Sequence, residues 1–253
     1  MDKALSVKDV LADAWELAKK NIWVLLGFTA VQFVFIFIIT AVLSAIIGGG
    51  GAGVLVQNII LSLFDAFFTV AFYQVFFKLI DDPGDAEFPD FVPNLVKALN
   101  FLIVKLIIGL VLVFLIAMIS ALYFFNTPHI TVDPDNPFSW DLLPVFVLIA
   151  IPIIFFTIRL CFVVCFIVDQ ESGSSESISQ SWTLTQGHFW FVFVLFLVML
   201  GLNILGAMAF LIGLLFTVPF SSLILIIAYR HMVNSYADEE EILLESPEGN
   251  NGN

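Results

Sequence analysis

Six apolar stretches, each long enough to cross a lipid bilayer, constrain this chain more than any other feature of its sequence. A spanning helix needs about 20 predominantly apolar residues to cover the hydrocarbon core. Polar or glycine-containing breaks separate the stretches, so we expect six separate crossings. The predicted spans are about 22–47, 54–80, 98–125, 141–168, 189–210 and 213–233. The predicted fold class is therefore an all-α integral membrane protein, with one transmembrane domain over residues 1–236.

Composition supports the membrane assignment and excludes one class of partner. Hydrophobic residues make up 60% of the chain and charged residues 12%, against about 45–50% and about 25% in soluble domains. The net charge of −13 is opposite to the basic surface that nucleic-acid binding needs, so we expect no nucleic-acid partner. Residues 237–253 carry much of the negative charge, and we predict that they form a disordered acidic tail.

Three polar or amphipathic segments precede the odd-numbered spans. Residues 5–20 place apolar side chains at helical spacing, and Ser6 with Asp9 fits a helix start where side chains satisfy free backbone N–H groups. The other two segments are 86–97 and 174–188. We therefore predict three transmembrane hairpins, each preceded by an amphipathic segment that lies in the cytoplasmic-side interface.

A short motif relates the first of these segments to the third. Residues 14–23 and 181–190 both have the form W-x-L-x5-W. Such self-similarity indicates an internally repeated membrane protein. We interpret the motif as an interfacial elbow, in which tryptophans mark the headgroup level and a glycine lets the chain turn into the membrane. The elbow residues are Trp15, Trp23, Trp182, Gly187 and Trp190.

The distribution of basic residues predicts the orientation of the spans. Under the six-span topology, the loops 48–53, 126–141 and 211–217 lie on one side and contain no Lys or Arg. The basic residues in the other segments and at the span ends all fall on the opposite side, which the positive-inside rule assigns to the cytoplasm. They are Lys3, Lys8, Lys19, Lys20, Lys78, Lys97 and Arg230. Both termini are therefore predicted to be cytoplasmic.

Charged residues inside the spans are the first candidates for a functional site, because a charge at membrane depth is costly. Asp65 lies near the middle of the second span and Arg159 in the inner half of the fourth. Their depths differ by about five residues, or ~8 Å, which an Arg side chain can largely bridge. We predict an Asp65–Arg159 pair that staples the helices, with a polar site for a headgroup or a proton as the alternative. Lys105 is expected to reach the cytoplasmic interface.

Uncharged polar residues add to this capacity at membrane depth. Gln74 and Asn203 are the main candidates, and Gln32, Gln57 and Asn58 accompany them. Such side chains either cross-link helices or line a cavity, and the sequence leaves both alternatives open.

The sequence offers no catalytic, cofactor or metal site that we can recognise. Cys161 and Cys165 share a helix face inside an apolar span and are interpreted as packing residues. The loop 126–141 carries Asp133 and Asp135, which are suitable ligands for a hard cation, but it lacks the glycine and the final glutamate of an EF-hand. No nucleophile has a visible base partner. We therefore expect neither an enzyme, nor a cofactor, nor a bound metal.

The segments SISQSWTLTQGHFW, GAMAFLIGLLFTVPF and AYRHM resemble the C-terminal half of a large family of six-helix prokaryotic membrane proteins. That family includes the membrane domain attached to some glycerophosphoryl diester phosphodiesterases. The resemblance covers about residues 165–232 and implies a six-helix fold in the cytoplasmic (inner) membrane of a prokaryotic cell. It does not imply phosphodiesterase activity, since the catalytic barrel of those enzymes is a separate domain. The matching residues are Ser181-Trp182, Leu184, Gly187, Phe189-Trp190, Gly206, Gly213, Thr217-Val218-Pro219 and Ala228-Tyr229-Arg230.

Two functions from different classes follow. The first is a non-enzymatic membrane protein that binds or handles lipid or another amphiphile, or that supports a membrane partner complex. The second is a transporter or channel for a small solute or ion that uses Asp65 and Arg159. Membrane lipids are the expected partners in the first case. Small residues four apart, such as Ala209 and Gly213, can serve contacts within the bundle or between subunits, so a protein partner or a homo-oligomer remains open.

Overall fold

The computed structural model of the chain describes residues 5–47, 50–82, 91–126, 143–209 and 213–245, the last nine of these by their backbone alone. Throughout these ranges the regular structure is helical. The helices are α1 (Val7–Lys20), α2 (Ile22–Ile47), α3 (Gly51–Asp81), α4 (Leu95–Asn126), α5 (Leu143–Leu160), α6 (Val163–Asp169), α7 (Ser174–Leu184), α8 (Phe189–Met208) and α9 (Leu214–Glu245).

Six helical segments of the described chain are long and apolar enough to cross a membrane. This confirms the predicted number of spans and the all-helical, multi-pass membrane class. Each segment overlaps the span predicted for it, with ends that differ by several residues. The segments are Ile22–Ile47, Gly51–Asp81, Leu95–Asn126, Leu143–Asp169, Phe189–Met208 and Leu214–Tyr236.

The last helix is longer than the sequence pattern predicted. The sixth span was expected to end near 233, but α9 continues to Glu245. The start of the predicted disordered tail is therefore helical, which is consistent with the strong helix propensity of Glu and Leu in this stretch. Residues 246–253 lie outside the described residues.

The fourth crossing is interrupted, at a place that the sequence did not indicate. Pro152 lies inside α5, which is continuous through it. The interruption lies instead between Leu160 and Val163. The hydroxyl of Ser181 donates to the carbonyl oxygen of Arg159 at 2.8 Å and accepts from the backbone N–H of Phe162 at 3.3 Å. One serine of α7 therefore satisfies backbone groups on both sides of the interruption.

The two amphipathic helices bury different kinds of face. α1 begins as predicted, with Ser6 Oγ accepting from the Asp9 N–H at 3.4 Å. It packs mainly against α9, and its buried residues are Val10, Ala14 and Ala18. The apolar face of α1 is therefore covered by protein. α7 packs against α4, α5 and α6 and buries Ser177, Ser181 and Leu184, so its inner face consists largely of hydroxyl-bearing side chains.

The spanning helices form a closed sequence of neighbours. α2 packs on α3, α3 on α4, α4 on α5, α5 on α8, α8 on α9, and α9 on α2. α3 also contacts α6 and α9. The contact between α8 and α9 is very close, because a Cβ added at Gly213 would lie 2.7 Å from the Cα of Gly206. Gly213 therefore serves packing within this chain.

The packed core is concentrated toward one end of this bundle. In α3 the buried residues lie between Ala66 and Leu79, and in α9 between Phe220 and Met232. In α2 the buried residues are Leu25 and Thr29, both in its first turns. The same core includes residues of α1, α6 and α7. The opposite half of the bundle is packed less densely, and this is where a cavity forms.

Candidate functional site

A cavity of about 580 Å³ lies between α2, α3, α4 and α9. Its volume falls within the range of about 300–1,000 Å³ that is typical of small-molecule sites. The wall from α3 carries Asn58, Ser62, Asp65 and Thr69, whose spacing places them on one helix face. The other helices add polar and apolar groups in similar numbers. These are Thr29, Gln32, Phe33, Ile36, Lys105, Val218, Pro219 and Ser222, and α3 also adds Leu61, Phe72 and Tyr73.

The charged group of the cavity is an ion pair between Asp65 and Lys105. The Lys105 ammonium donates directly to Asp65 Oδ2. Asp65 lies near the midpoint of the 31-residue α3, so the pair is far from both ends of that helix. The Asp65 side chain is 48% exposed and that of Lys105 32% exposed. Both side chains line the cavity, where water or a polar ligand can solvate their exposed parts.

The predicted partnership of Asp65 with Arg159 is wrong. Asp65 pairs with Lys105 of the neighbouring helix α4, whereas Arg159 lies at the end of α5. Lys105 was expected to reach the cytoplasmic interface, but its ammonium bonds Asp65 and lies 5.8 Å from the centre of the Phe101 ring. The physical reason is the order of helices in the bundle, since α3 packs directly on α4.

The cavity is open on one side and closed at one end. Phe33 and Val218 belong to its lining and are 52% and 45% exposed. Phe72 and Tyr73 line it where the dense core begins and are only 6% and 4% exposed. The space therefore joins a polar interior to exposed apolar residues.

Several polar side chains that were candidates for the site act as links between helices. Gln74 accepts from the N–H of Asn94, just before α4, at 3.1 Å. Asn203 of α8 donates to Ser221 Oγ of α9 at 3.0 Å. These two residues lie outside the cavity lining, whereas Gln32 and Asn58 belong to it.

Arg159 lies in a group of aromatic rings beside α7. Its guanidinium carbon is 5.5 Å from the ring centre of Phe155, 5.2 Å from that of Trp182 and 5.9 Å from that of Phe189. Its Nη1 donates to Thr185 Oγ1 at 3.4 Å. Arg159 therefore lies at the elbow, a position that the sequence did not predict.

Of the elbow residues, Gly187 lies between α7 and α8, and the four tryptophans lie in helices. Gly187 has φ +89, a conformation that side chains other than glycine rarely adopt. Trp23 and Trp190, which begin α2 and α8, are 84% and 73% exposed. Trp15 packs edge-on against Phe216 and Phe220 of α9. Trp182 packs against Phe155 and Phe156 of α5.

An ionic network that the sequence did not predict joins the ends of α3 and α6 to the middle of α9. Arg230 Nη2 lies 2.9 Å from Asp81 Oδ1 and 3.1 Å from Asp169 Oδ1. The Tyr229 hydroxyl donates to Asp169 Oδ2 at 2.9 Å. Asp81 and Asp169 end α3 and α6, where the helix dipole disfavours a negative charge, so Arg230 offsets an unfavourable interaction at both. The motif AYRHM contains Tyr229 and Arg230, but the carboxylates that they contact are distant in sequence. The motif alone therefore does not predict the network.

The remaining candidates have structural positions or lie outside the described chain. Cys165 is fully buried in the core and Cys161 packs against it, and both are free thiols, as the packing interpretation expected. His231 lies 2.8 Å from Asp13 of α1. Among the described residues, no group of three His, Cys, Asp or Glu side chains could hold a metal ion. The loop residues Asp133 and Asp135 are outside the described residues.

A stripe of polar residues along α3 indicates the cavity in the sequence itself. Ser62 and Thr69 continue the helical spacing of Asn58 and Asp65 along α3. A polar stripe of this kind inside an otherwise apolar span is unusual, because a lipid-facing polar group is costly. The stripe therefore predicts that this face of α3 lines a polar cavity and does not face lipid.

Comparison with known proteins gives a family and no closer relative. The model of the protein family described as "Protein of unknown function (DUF975)" matches residues 16–235. Searches of curated proteins and of solved structures find no significant match.

Proposed function

The chain belongs to the DUF975 family, which is described only as of unknown function, and from its own residues we propose that it is a non-enzymatic membrane protein that binds an amphiphile in the cavity between α2, α3, α4 and α9. The observation that carries this proposal is the Asp65–Lys105 ion pair inside a laterally open, half-apolar space. A bound molecule would place its polar group at the pair and its apolar part along Phe33 and Val218.

The energetics favour a ligand at this pair over a purely structural role. Two charges at membrane depth are expensive to desolvate, and an apolar pair of similar volume is often at least as stabilising. A pair enclosed by protein would need further hydrogen bonds to its free acceptor and donors. Here the side chains remain half-exposed to the cavity, so their remaining hydrogen-bonding capacity is available to a polar headgroup.

The size of the cavity constrains what part of the ligand it holds. A volume of about 580 Å³ suits a headgroup with part of a chain, and the rest of a lipid would extend through the lateral opening into the bilayer. The transport alternative combined Asp65 with Arg159 in one pathway. Since Arg159 does not line the cavity, transport becomes an outcome of the test below.

The topology and the internal repeat belong to the same proposal. Trp15 and Trp182 each contact two phenylalanines of a spanning helix, α9 and α5 respectively. Those helices are the neighbours of α2 and α8, the helices that follow the two tryptophans in sequence. This correspondence supports an internal repeat of elbow and hairpin. The distribution of basic residues supports a cytoplasmic position of both termini, and a prokaryotic inner membrane is expected from the family resemblance. The resemblance to the membrane domain of glycerophosphoryl diester phosphodiesterases stays a prediction.

Photocrosslinking in native membranes tests the proposal. A lipid with a photoreactive group in its acyl chain should label α2 and α9 at the opening, near Phe33 and Val218, and Asp65→Asn should reduce that labelling. Glu176→Gln, on the exposed surface of α7, is the matched control and should leave it unchanged. Uniform labelling of all lipid-facing helices would contradict the proposal. Solute flux in proteoliposomes that Asp65→Asn abolishes would favour transport instead.

A further inference from the structure

A second site lies at the elbow between α5, α7 and α8, away from the cavity. Its central group is the guanidinium of Arg159, which lies within 6 Å of three ring centres and is bonded by Thr185. Phe189 is the first residue of α8 and Trp190 follows it. Arg159 therefore lies at the point where a spanning helix begins, beside an exposed tryptophan of the kind that marks the headgroup region.

The charge of Arg159 is not neutralised by the described part of the protein. Its side chain forms no ion pair there, and its closest polar contact is the neutral Thr185 hydroxyl. Other cations of the chain are paired with carboxylates, as in Lys97 with Glu171 and Arg230 with Asp81. The Nε atom of Arg159 is buried and has no hydrogen-bond partner. A cation held in this way among aromatic rings favours an anion close to it.

The surroundings of the guanidinium leave one direction for that anion. Thr185 already donates to the carbonyl oxygens of Ser181 and Trp182, so its hydroxyl orients Nη1 and does not bind the ligand itself. Phe155, Trp182 and Phe189 cover the faces of the planar group. Its outer edge, with Nη2, makes no hydrogen bond within the described ranges, and Trp182 beside it is 37% exposed.

The ligand that matches this arrangement is a phosphate group. The rigid, planar fork of arginine presents parallel N–H donors that fit two phosphate oxygens. A phosphodiester carries a single negative charge, which balances one guanidinium. At the beginning of a spanning helix, the phosphodiester of a membrane phospholipid is the nearest abundant source of this group.

We propose that Arg159 binds the phosphodiester of a phospholipid headgroup at the elbow, with Trp182 against the guanidinium and Thr185 fixing its orientation. The site is independent of the amphiphile in the cavity, because no residue is shared between them. It also gives the SWTLT sequence, residues 181–185, a ligand-related role in addition to its structural one. Trp182 and Thr185 hold the arginine, while Ser181 holds the backbone that carries it.

Binding measurements on the full-length protein in detergent test this proposal. The probes are phosphatidylglycerol, a diacylglycerol with the same acyl chains, and inorganic phosphate. Phosphatidylglycerol should bind, and its ³¹P resonance should shift on binding, whereas diacylglycerol should bind weakly. Arg159→Gln should weaken phosphatidylglycerol binding about ten- to hundredfold, as expected for the loss of charge-assisted hydrogen bonds. Lys8→Gln, at an exposed basic position of α1, should leave the affinity unchanged.

A second variant keeps the test decisive if Arg159→Gln does not fold. Arg159→Lys retains the charge but loses the fork, so it should bind phosphatidylglycerol several-fold more weakly and still prefer it to diacylglycerol. Wild-type affinity in both variants would overturn the proposal. Displacement of phosphatidylglycerol by millimolar inorganic phosphate would overturn the assignment to a lipid headgroup. Asp65→Asn should not affect this site, which separates its failure from failure of the cavity proposal.

Discussion

The hydroxyl of Ser181 lies 2.8 Å from the carbonyl oxygen of Arg159, across the interruption between α5 and α6. Ser181 Oγ also accepts from the N–H of Phe162 at 3.3 Å. A buried serine of α7 thus replaces two helical hydrogen bonds of another segment. The relationship ties the amphipathic helix to the fourth crossing and fixes the backbone from which the Arg159 side chain extends.

Ser181→Ala should therefore destabilise the fold. The substitution leaves a buried carbonyl and a buried N–H without their partner, which costs about 1–3 kcal/mol per unsatisfied group. Thermal or denaturant unfolding in detergent measures the loss. Ser179→Ala, at an exposed position of the same helix, should change the stability by less than about 0.5 kcal/mol. Equal stability of the two variants would show that the hydroxyl is dispensable.

The network around Arg230 makes an asymmetric prediction for its two carboxylates. Asp169 is 19% exposed and bonds both Tyr229 and Arg230, whereas Asp81 is 61% exposed and bonds Arg230. Asp169→Asn should cost about 1–3 kcal/mol, because it weakens two partly buried bonds. Asp81→Asn should cost less than about 1 kcal/mol, as for exposed ion pairs. The reverse order in unfolding experiments would contradict this reading of the network.

Gly213 and Gly201 provide a matched pair for the contact between α8 and α9. A Cβ at Gly213 would lie 2.6 Å from the carbonyl oxygen of Gly206, whereas one at Gly201 meets nothing within 4 Å. Gly213→Ala should force the helices apart and destabilise the protein by about 1–3 kcal/mol. Gly201→Ala should be neutral or stabilising by about 0.5–1 kcal/mol, through its higher helix propensity. Both values can be read from unfolding transitions in the same detergent.

The partnership of Asp65 with Lys105 can be tested by a double-mutant cycle. Asp65→Asn and Lys105→Met each remove one charge and leave the other unpaired at membrane depth. The stability losses of the two single variants should therefore add up to more than the loss of the double variant. The expected coupling is about 0.5–3 kcal/mol, the range for residues in contact. The same cycle between Asp65 and Arg159 should give no coupling. Coupling to Arg159 and none to Lys105 would contradict the structure.

The sequence allowed the spans to be predicted, because apolar length is a local property that one stretch of chain displays by itself. The partner of Asp65 could not be derived in the same way. Charge favoured Arg159, whose side chain can largely bridge the difference in depth, but the pairing depends on which helices are neighbours, and α3 packs on α4. The order of helices in the bundle is encoded in many weak contacts and has no short motif.

Some features of the site can be predicted from the sequence and others cannot. The polar stripe on α3, with Ser62 and Thr69 between or beside the noted residues, follows from helical spacing alone. The interruption near Phe162 does not, because residues 153–169 contain neither proline nor glycine and the group that satisfies the backbone there comes from Ser181. Likewise, Arg230 contacts carboxylates at the ends of two other helices, so no local sequence pattern predicts this network.

Occupancy of the cavity is the central claim, and one measurement tests it most directly. Native mass spectrometry can count the lipids that stay bound to each protein after extensive washing in detergent. Ser62→Trp should fill the cavity and lower the count of retained lipids by one per protein, leaving a lipid at Arg159 in place, whereas Leu63→Trp, at an adjacent residue that is 39% exposed, should leave the count unchanged. Equal lipid retention by both folded variants would contradict the proposal that the cavity is the binding site.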